Sequence, residues 1–195
     1  YSVSTAVLSA HKMGWPQTRK RFFMVATLDP SLSLLQVADA LQTYTRPVSW
    51  ALEDLLNVPV EDELWDGTPT LSPENAARVA HLFKEEQYNL PLHKRPDSHK
   101  NGTTYTSVYG RMHWDRPSGT ITTGFMTPGR GRFIHPLEPR VLTPHEAARL
   151  QGFPDTFNFF PGPTRRQDLG KWIGDAVPSV LGFAAGLSAL ARAGK

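Results

Sequence analysis

Two arginines at alternate positions are the first residues of this chain whose types and spacing could do chemistry. They lie in the segment PQTRKR, residues 16–21. Alternate residues of an extended segment face one side, so Arg19 and Arg21 would project together while Lys20 turns away. Paired guanidiniums suit a phosphate and a base carbonyl, which accept planar, charge-assisted hydrogen bonds. A solvated basic cluster beside a strand is the alternative interpretation.

Three more arginines stand in segments suited to a phosphate backbone. Arg116 begins the segment RPSGTI, and Arg130 and Arg132 lie in the glycine-rich segment PGRGRF. Glycines remove steric bulk and would let a nucleic-acid backbone approach closely. A structural turn explains a Gly-x-Gly pattern equally well. We therefore predict phosphate-backbone contacts at Arg130 and Arg132, and keep the turn as the alternative for these two.

Charge is distributed unevenly along the 195 residues. The 21 basic and 18 acidic residues give a formal net charge of +3, which fits a DNA-binding protein without requiring one. Residues 53–66 carry carboxylates and no Lys or Arg, whereas residues 12–21 and 111–149 are net basic. A phosphate backbone is expected to approach these two basic regions.

Other classes of site and location are disfavoured by composition. The chain has no cysteine, which excludes disulfides and thiolate metal sites. Its 7 histidines are scattered without a close pair, so we expect no metal site. No apolar run approaches the roughly 20 residues of a membrane span, and we expect a soluble, cytoplasmic protein, nucleoid-associated if bacterial. The chain opens on Tyr1 in a segment typical of mid-domain sequence, which predicts a piece of a longer protein.

Local signals predict four elements in the first half of the chain. The apolar run at residues 21–27 predicts a buried strand. Ser33 with Gln36 forms a capping-box pattern that predicts a helix. A second short helix is expected from Ser49 to Leu56, and Ser72 precedes a third.

The second half contains a loop region, a strand and two helices by the same criteria. Residues 88–110 are expected to form loops with short strands, and residues 120–125 a strand that enters a turn. Thr143 is the predicted cap of a helix that ends at Gly152. A terminal helix is expected to start near Ala176. Its apolar stripe consists of Val177, Val180, Leu181, Ala184, Leu187 and Leu190.

Four segments together resemble the C-terminal half of a DNA (cytosine-5) methyltransferase. They are GWPQTRKRFFMVAT at 14–27, RPSGTI at 116–121, RLQGFPD at 149–155 and IGDAVP at 173–178. The third is the most specific string, and the four occur in the family's usual order. Residues 30–104 match the family only in position.

The resemblance implies a mixed fold, α/β and α+β. Residues 1–29 would be the edge of a Rossmann-like, S-adenosylmethionine-dependent catalytic domain. Residues 30–142 would form a small target-recognition domain. Residues 143–195 would return to the catalytic domain as a C-terminal helix, and we expect its apolar face to meet residues 1–27.

The resemblance also implies roles for particular residues. Arg19 and Arg21 would assist the flipped cytosine, with Arg21 the better candidate for its carbonyl oxygen. Arg116 would help to organise target recognition and contact DNA. Four residues would border the S-adenosylmethionine pocket: Gly174, Asp175, Ala176 and Val177. Asp175 stands where the family usually has Asn, and it cannot donate the amide's hydrogen bonds; alternatively, it caps the terminal helix.

The family transfers a methyl group to carbon 5 of a cytosine flipped out of double-stranded DNA, as in restriction-modification. Its nucleophile is a cysteine thiolate, which this chain lacks. The Phe-x-Gly-x-Gly, Pro-Cys and Glu-Asn-Val motifs of the family are also absent. We therefore predict a chain that is inactive alone and completed by an N-terminal half, either a separate subunit or the rest of one parent chain. The alternative is a non-catalytic DNA-binding module or a decayed methyltransferase remnant.

Overall fold

The computed structural model describes residues 1–28, 32–100, 107–160 and 162–191, and it shows a mixed α/β protein. The strands and helices are β1 (Ser2–Ser9), β2 (Lys20–Thr27), α1 (Leu34–Ala40), α2 (Val48–Leu52), α3 (Pro73–Lys84), α4 (Asp97–Lys100), α5 (Pro144–Gln151), α6 (Arg166–Asp175) and α7 (Ser179–Leu190). Four 3₁₀ turns lie at Ala10–Lys12, Glu53–Leu55, Leu92–Lys94 and Pro128–Arg130.

The two strands form an antiparallel hairpin in which Val7 pairs with Phe22 and Thr5 with Met24. One face of this hairpin packs against α1 and α7, while Phe22 and Met24 on the other face are each 66% exposed. The predicted strand exists, but the prediction that it is buried is wrong. An apolar run is buried on both sides only where both sides are covered, and no described segment covers this one.

Helices α1 and α7 complete this part of the molecule, which we call the hairpin region together with β1 and β2. The Ser33 and Gln36 capping box at the start of α1 is confirmed. Leu181 and Ala184 of α7 are buried against the hairpin and α1, so the predicted contact of the terminal helix with residues 1–27 is also confirmed. The apolar stripe is not buried at its C-terminal end, where Leu190 is 82% exposed.

A second cluster, which we call the helical core, joins α2, α5, α6 and the loops of residues 112–142. Phe125, Leu142 and Ile173 are fully buried at its centre. The predicted helix cap of α5 is confirmed: Thr143 accepts a hydrogen bond from the amide of Glu146 at 3.2 Å. The helix ends at Gly152, whose φ of 101° lies in the left-handed region that favours glycine.

Helix α2 begins differently from the prediction. Pro47, not Ser49, occupies the position before its first residue. The amide of Val48 donates to the carbonyl of Arg116 at 2.9 Å, and that of Ser49 donates to the carbonyl of Trp114 at 3.0 Å. A neighbouring loop therefore satisfies the free amides at the helix start, a tertiary contact that local capping signals do not report.

Helix α6 was not predicted. It contains Gly170 and Gly174, which lower helix propensity. A Cβ at Gly170 would lie 2.7 Å from Met126 Cε, and one at Gly174 would overlap the backbone of Thr122 and Thr123. Glycine is needed at position 174 because the helix lies directly on the backbone of this loop, whereas the neighbour of Gly170 is the flexible end of Met126.

Helix α3 begins at the predicted cap, Ser72, and packs on a smaller apolar cluster that includes Leu90 and Ile134. Residues 88–100 and 107–110 form loops with short helical turns, and a bridge pairs Asn89 with Gly110. Residues 101–106 of this prediction lie outside the described residues.

The strand predicted at residues 120–125 does not form. The segment instead turns, with the amide of Phe125 donating to the carbonyl of Thr122 at 3.1 Å. The backbone of Thr122 and Thr123 lies against Gly174 of α6 and does not pair as a strand. The domain boundaries proposed from sequence stay predictions.

No single helix in the described part of the chain is long and apolar enough to cross a membrane. Only α6 and α7 taken together, with a 41° bend between them, reach that length and composition.

Candidate functional site

The arginine segment, residues 16–21, leads into β2 alongside the loop that follows Arg116. The amide of Thr18 donates to the carbonyl of Ser118 at 2.9 Å, and the amide of Ser118 donates to the carbonyl of Pro16 at 2.8 Å. This short parallel pairing brings two of the sequence-predicted sites together across 100 residues of chain.

Arg19 and Arg21 have different environments within this segment. Arg19 is only 3% exposed, and its Nη1 donates to the carbonyls of Ile121 at 2.8 Å and Gly174 at 3.2 Å. Arg21 is partly exposed, and its Nη1 donates to the carbonyl of Lys20. Arg19 thus holds three segments together, while Arg21 makes no long-range hydrogen bond in the described structure.

The pKa of Arg19 reflects its burial and its charged neighbours. Burial, and to a smaller extent the positive charge of Arg21, lower the pKa of Arg19 to about 10, while Asp175 acts in the opposite direction. Arg19 therefore stays protonated at neutral pH. Its charge lies near Arg21 of the same segment and near Asp175 at the end of α6.

Arg116 and Arg130 are exposed, as a phosphate contact requires. Arg116 lies 4.0 Å from its neighbour Asp115. A cavity of about 240 Å³ adjoins Arg116 and is lined also by Thr18 and His113. Its wall combines the arginine segment with the loop after Arg116, so one ligand backbone could contact both.

Arg132 differs from the other two predicted DNA contacts. Its Nη1 donates at 2.8 Å to the carbonyls of both Tyr88 and Arg111, and burial lowers the pKa of its guanidinium. A Cβ at Gly131 would lie 2.5 Å from the Phe133 ring. The structural-turn interpretation therefore fits Arg132 and its glycine-rich loop.

The residues predicted to border a cofactor lie where α6 ends. Gly174 is buried, Asp175 is exposed and Val177 is 42% exposed. Asp175 accepts a hydrogen bond from Lys171 at 2.7 Å within α6. The alternative that Asp175 caps the terminal helix is wrong, because α7 begins at Ser179 after Pro178.

This loop fits one wall of an S-adenosylmethionine pocket in part. Val177 offers exposed apolar surface, and Lys171 partly offsets the charge of Asp175, a charge that would otherwise repel the cofactor's carboxylate.

A network of ion pairs joins the carboxylate-rich residues 53–66 to helix α5 of the helical core. Arg149 bonds both Asp155, at 2.6 Å, and Asp54. His145 lies between Asp66, at 2.8 Å, and Asp155, at 3.0 Å. Arg149 and Asp155 both belong to the string RLQGFPD, and the hydrogen bond from Arg149 is the main cause that lowers the pKa of Asp54.

Two buried glutamines at the site were missed by the sequence analysis. Gln17 and Gln151 are fully buried and hydrogen-bonded to each other at 2.9 Å. The available signal was a polar residue, Gln151, between the apolar Leu150 and Phe153 at a helix end. Among the described residues, no group of three His, Asp or Glu side chains could hold a metal ion.

Comparison with solved structures shows the same fold. A Schizosaccharomyces pombe Dnmt2 methyltransferase aligns with 96% of this chain and 56% of its own, with a TM-score of 0.59 and 15% identity. A putative DNA modification methyltransferase encoded within a prophage of Escherichia coli aligns with 96% of this chain and 59% of its own, with a TM-score of 0.56 and 22% identity.

Two bacterial proteins are similar in sequence over most of this chain. The Type II methyltransferase M1.BsuMI of Bacillus subtilis is 46% identical over 184 residues, which are 94% of this chain and 42% of the relative. The Type II methylase M.HgiDII of Herpetosiphon aurantiacus is 32% identical over 191 residues, 93% of this chain and 53% of the relative. The chain thus spans about half the length of these relatives. The sequence model of C-5 cytosine-specific DNA methylases matches residues 1–188, and the chain belongs to that family.

Proposed function

We propose that this chain is the C-terminal half of a DNA (cytosine-5) methyltransferase. It supplies DNA docking, target recognition and part of the pockets for the flipped base and the cofactor. The observation that carries the proposal is Arg19, whose side chain joins the arginine segment to Ile121 in the recognition loop and to Gly174 beside the cofactor wall. Three of the four segments with family motifs meet at this one buried side chain.

Each predicted residue takes a role consistent with its exposure. Arg21 donates a charge-assisted hydrogen bond to the carbonyl oxygen of the flipped cytosine. Arg19 assists by holding the segment that carries Arg21. Arg116 and Arg130 contact backbone phosphates, while Arg132 holds the glycine-rich loop in place through its hydrogen bonds to the carbonyls of Tyr88 and Arg111.

The cofactor, S-adenosylmethionine, supplies the methyl group when bound. Gly174, Asp175, Ala176 and Val177 form one wall of its pocket, and the N-terminal half supplies the others. The cysteine nucleophile also belongs to that half, since this chain contains no cysteine. Its DNA substrate would keep the assembled enzyme at the nucleoid of a bacterial cell.

The exposed face of the hairpin supports the need for a second half. Val3, Val7, Phe22 and Met24 are between 59% and 66% exposed on that face. A two-stranded sheet has little stability by itself, and a continuous exposed apolar patch marks an interaction surface. The N-terminal half covers this face in the proposed enzyme.

A second candidate function is a DNA-binding module or remnant without methyl transfer. The observation that favours it is Asp175 in place of the family's usual Asn, because a carboxylate cannot donate the amide's hydrogen bonds. An Asp175→Asn variant separates the two. If Asn raises cofactor affinity of the assembled enzyme from undetectable to measurable, the natural chain is a remnant.

The deciding experiment measures labelled methyl transfer from S-adenosylmethionine to duplex DNA. We expect no product from the purified chain and cytosine-5 methylation when the N-terminal half is added as a separate polypeptide or restored in one chain. Product from the chain alone would contradict the half-enzyme proposal. Inactivity of the complete assembly would favour the non-catalytic alternative.

A further inference from the structure

Two buried side-chain amides form a chain of hydrogen bonds through the site. Gln17 Nε2 donates to the carbonyl of Leu150 and to Oε1 of Gln151, both at 2.9 Å. Gln151 Nε2 in turn donates to the carbonyls of Ile173, at 2.8 Å, and Ala176. The chain of bonds runs from the arginine segment, through the end of α5, to the end of α6.

The direction of these hydrogen bonds is determined by their surroundings. The backbone carbonyls of Leu150, Ile173 and Ala176 can only accept, so the NH2 group of each glutamine must face them. Oε1 of Gln151 is then left to accept from Gln17. Turning either amide over would place oxygen against oxygen, and both N–H bonds of each amide are already used.

The acceptors are helix-end carbonyls that have no partner within their own helices. Leu150 lies in the last turn of α5 and Ile173 in the last turn of α6, where carbonyls need side-chain or solvent donors. Trp15 Nε1 also donates to the carbonyl of Leu150, at 2.9 Å. The arginine segment and its flank thus bind one helix end directly, and Gln151 carries the link to the other.

Gln151 bonds the backbone on both sides of Gly174 and Asp175. The carbonyl of Ile173 precedes them and that of Ala176 follows them, so one NH2 group spans the turn that leads from α6 towards α7. Arg19 bonds the carbonyl of Gly174 inside the same turn. Two side chains from different parts of the sequence therefore hold the proposed cofactor wall.

We infer that Gln151 is a positioning residue for the methyl-transfer site: its NH2 group sets the wall of residues 174–177 relative to the arginine segment that faces the base. The inference rests on the proposed function, because only an assembled enzyme has a cofactor and a base to align. A displacement of about 1 Å in a positioning element can reduce turnover by about a hundredfold. Gln151 touches neither substrate in this arrangement.

The first test examines the link itself in the isolated chain. Gln151→Glu keeps the shape and the acceptor for Gln17 but removes the NH2 donor. Gln151→Met removes donor and acceptor without adding charge. We expect amide hydrogen exchange at residues 174–177 to accelerate at least tenfold in both variants, with exchange in α3 unchanged. Gln167→Glu, an exposed position on α6, adds the same charge without touching the link and should leave exchange unchanged.

The second test measures kinetics with the N-terminal half present. We expect the KM for S-adenosylmethionine to rise at least tenfold in Gln151→Glu and Gln151→Met, with the KM for DNA within about twofold of the unsubstituted enzyme. Gln167→Glu should match the unsubstituted enzyme in both constants. A residue that only stabilised the fold would lower the active fraction and leave both KM values unchanged.

The outcomes separate this inference from the proposed function. Inactivity of the unsubstituted assembly overturns the proposed function, and the inference with it. An active assembly in which both Gln151 variants keep the KM for S-adenosylmethionine overturns the inference alone. Failure of both variants to fold also overturns it, because Gln151 would then be a stability residue.

Discussion

The hairpin region and the helical core differ in how completely they bury their apolar side chains. In the helical core, Phe125, Leu142 and Ile173 are enclosed on all sides by residues of this chain. In the hairpin region, only one face of the sheet is covered, and Phe22 and Met24 lie open. The centre of the helical core is thus closed by this chain, whereas the open face of the hairpin region leaves apolar surface available for an interface.

The largest effect is expected from removing a side chain at the centre of the helical core. Phe125→Ala should lower the free energy of unfolding by about 3–5 kcal/mol, because it loses apolar burial and leaves a cavity. Urea denaturation followed by circular dichroism measures this. A loss below about 1 kcal/mol would show that the helical core is loosely packed, and the contrast between the two regions would fail.

Substitution of Arg19 should mainly reduce stability, whereas substitution of Arg21 should mainly reduce activity. Arg19→Ala should lower the free energy of unfolding by about 1–3 kcal/mol, since buried carbonyls lose their charged donor. Arg21→Ala should change unfolding by less than about 0.5 kcal/mol and abolish methyl transfer by the assembled enzyme. Thermal melts and turnover are compared side by side. Equal effects of the two variants on unfolding would refute the division of roles.

Polar substitutions on the exposed face of the hairpin should weaken binding of the N-terminal half without changing the stability of this chain. Phe22→Ser with Met24→Ser should leave the free energy of unfolding of the isolated chain within about 0.5 kcal/mol. The same change should weaken binding of the N-terminal half at least tenfold, about 1.4 kcal/mol. Leu92→Ser, an exposed apolar position outside the face, is the matched control. Unaltered affinity in titration calorimetry would exclude this face as the contact.

DNA binding should respond to the exposed arginines of the loops around the helical core. Arg116→Ala and Arg130→Ala should each reduce the slope of log K against log salt by about 0.9, because one phosphate contact is lost. Arg132→Ala should instead destabilise the fold, since it bonds the carbonyls of Tyr88 and Arg111. Lys84→Ala, on α3, is the control. A salt slope that only Arg132→Ala changes would reverse these assignments.

The smallest effect concerns pH and His135, which is fully buried. Burial lowers its pKa, and Arg140 and Arg111 add to this, while Glu146 and Glu138 oppose it. The unfolded chain therefore takes up a proton near the ordinary value of 6.5, and the folded chain does not. The free energy of unfolding should fall as pH drops below 6.5, with stability fully present above it.

His135→Asn isolates this contribution. Asn retains an acceptor for the amides of Leu137 and Glu138, which donate to His135 Nδ1. The difference in unfolding free energy between variant and unsubstituted chain should change between pH 7 and pH 5. A difference that stays constant over that range would mean that His135 does not titrate as expected.

Local signals predicted the elements whose ends are determined by neighbouring residues. The caps at Ser33, Ser72 and Thr143 and the stop at Gly152 were all found where the sequence places them. Each depends on hydrogen bonds or backbone angles within a few residues. The family resemblance, carried by short strings, was confirmed by the match over residues 1–188.

Features determined by distant segments could not be predicted in this way. Helix α6 has Gly174 because it rests on the backbone of residues 122–123, and a sequence pattern shows only the poor helix propensity of glycine. Arg19 and Arg21 look equivalent in the sequence, but only Arg19 meets the carbonyls of Ile121 and Gly174. The partner of Gln151 lies 134 residues away.

The contact of α7 with the hairpin and with Leu32 also affects the sequence of events during folding. Ser188 Oγ donates to the carbonyl of Leu32 at 2.7 Å across 156 residues, and the amide of Leu32 donates to the carbonyl of Ala191 at 3.1 Å. During synthesis, β1 and β2 leave the ribosome well before Leu181 and Ala184, which cover one face of the hairpin. Contacts of such sequence separation form slowly. The hairpin is consequently completed only after α7 has been made, and in the interval its strands are exposed to chaperones and to aggregation.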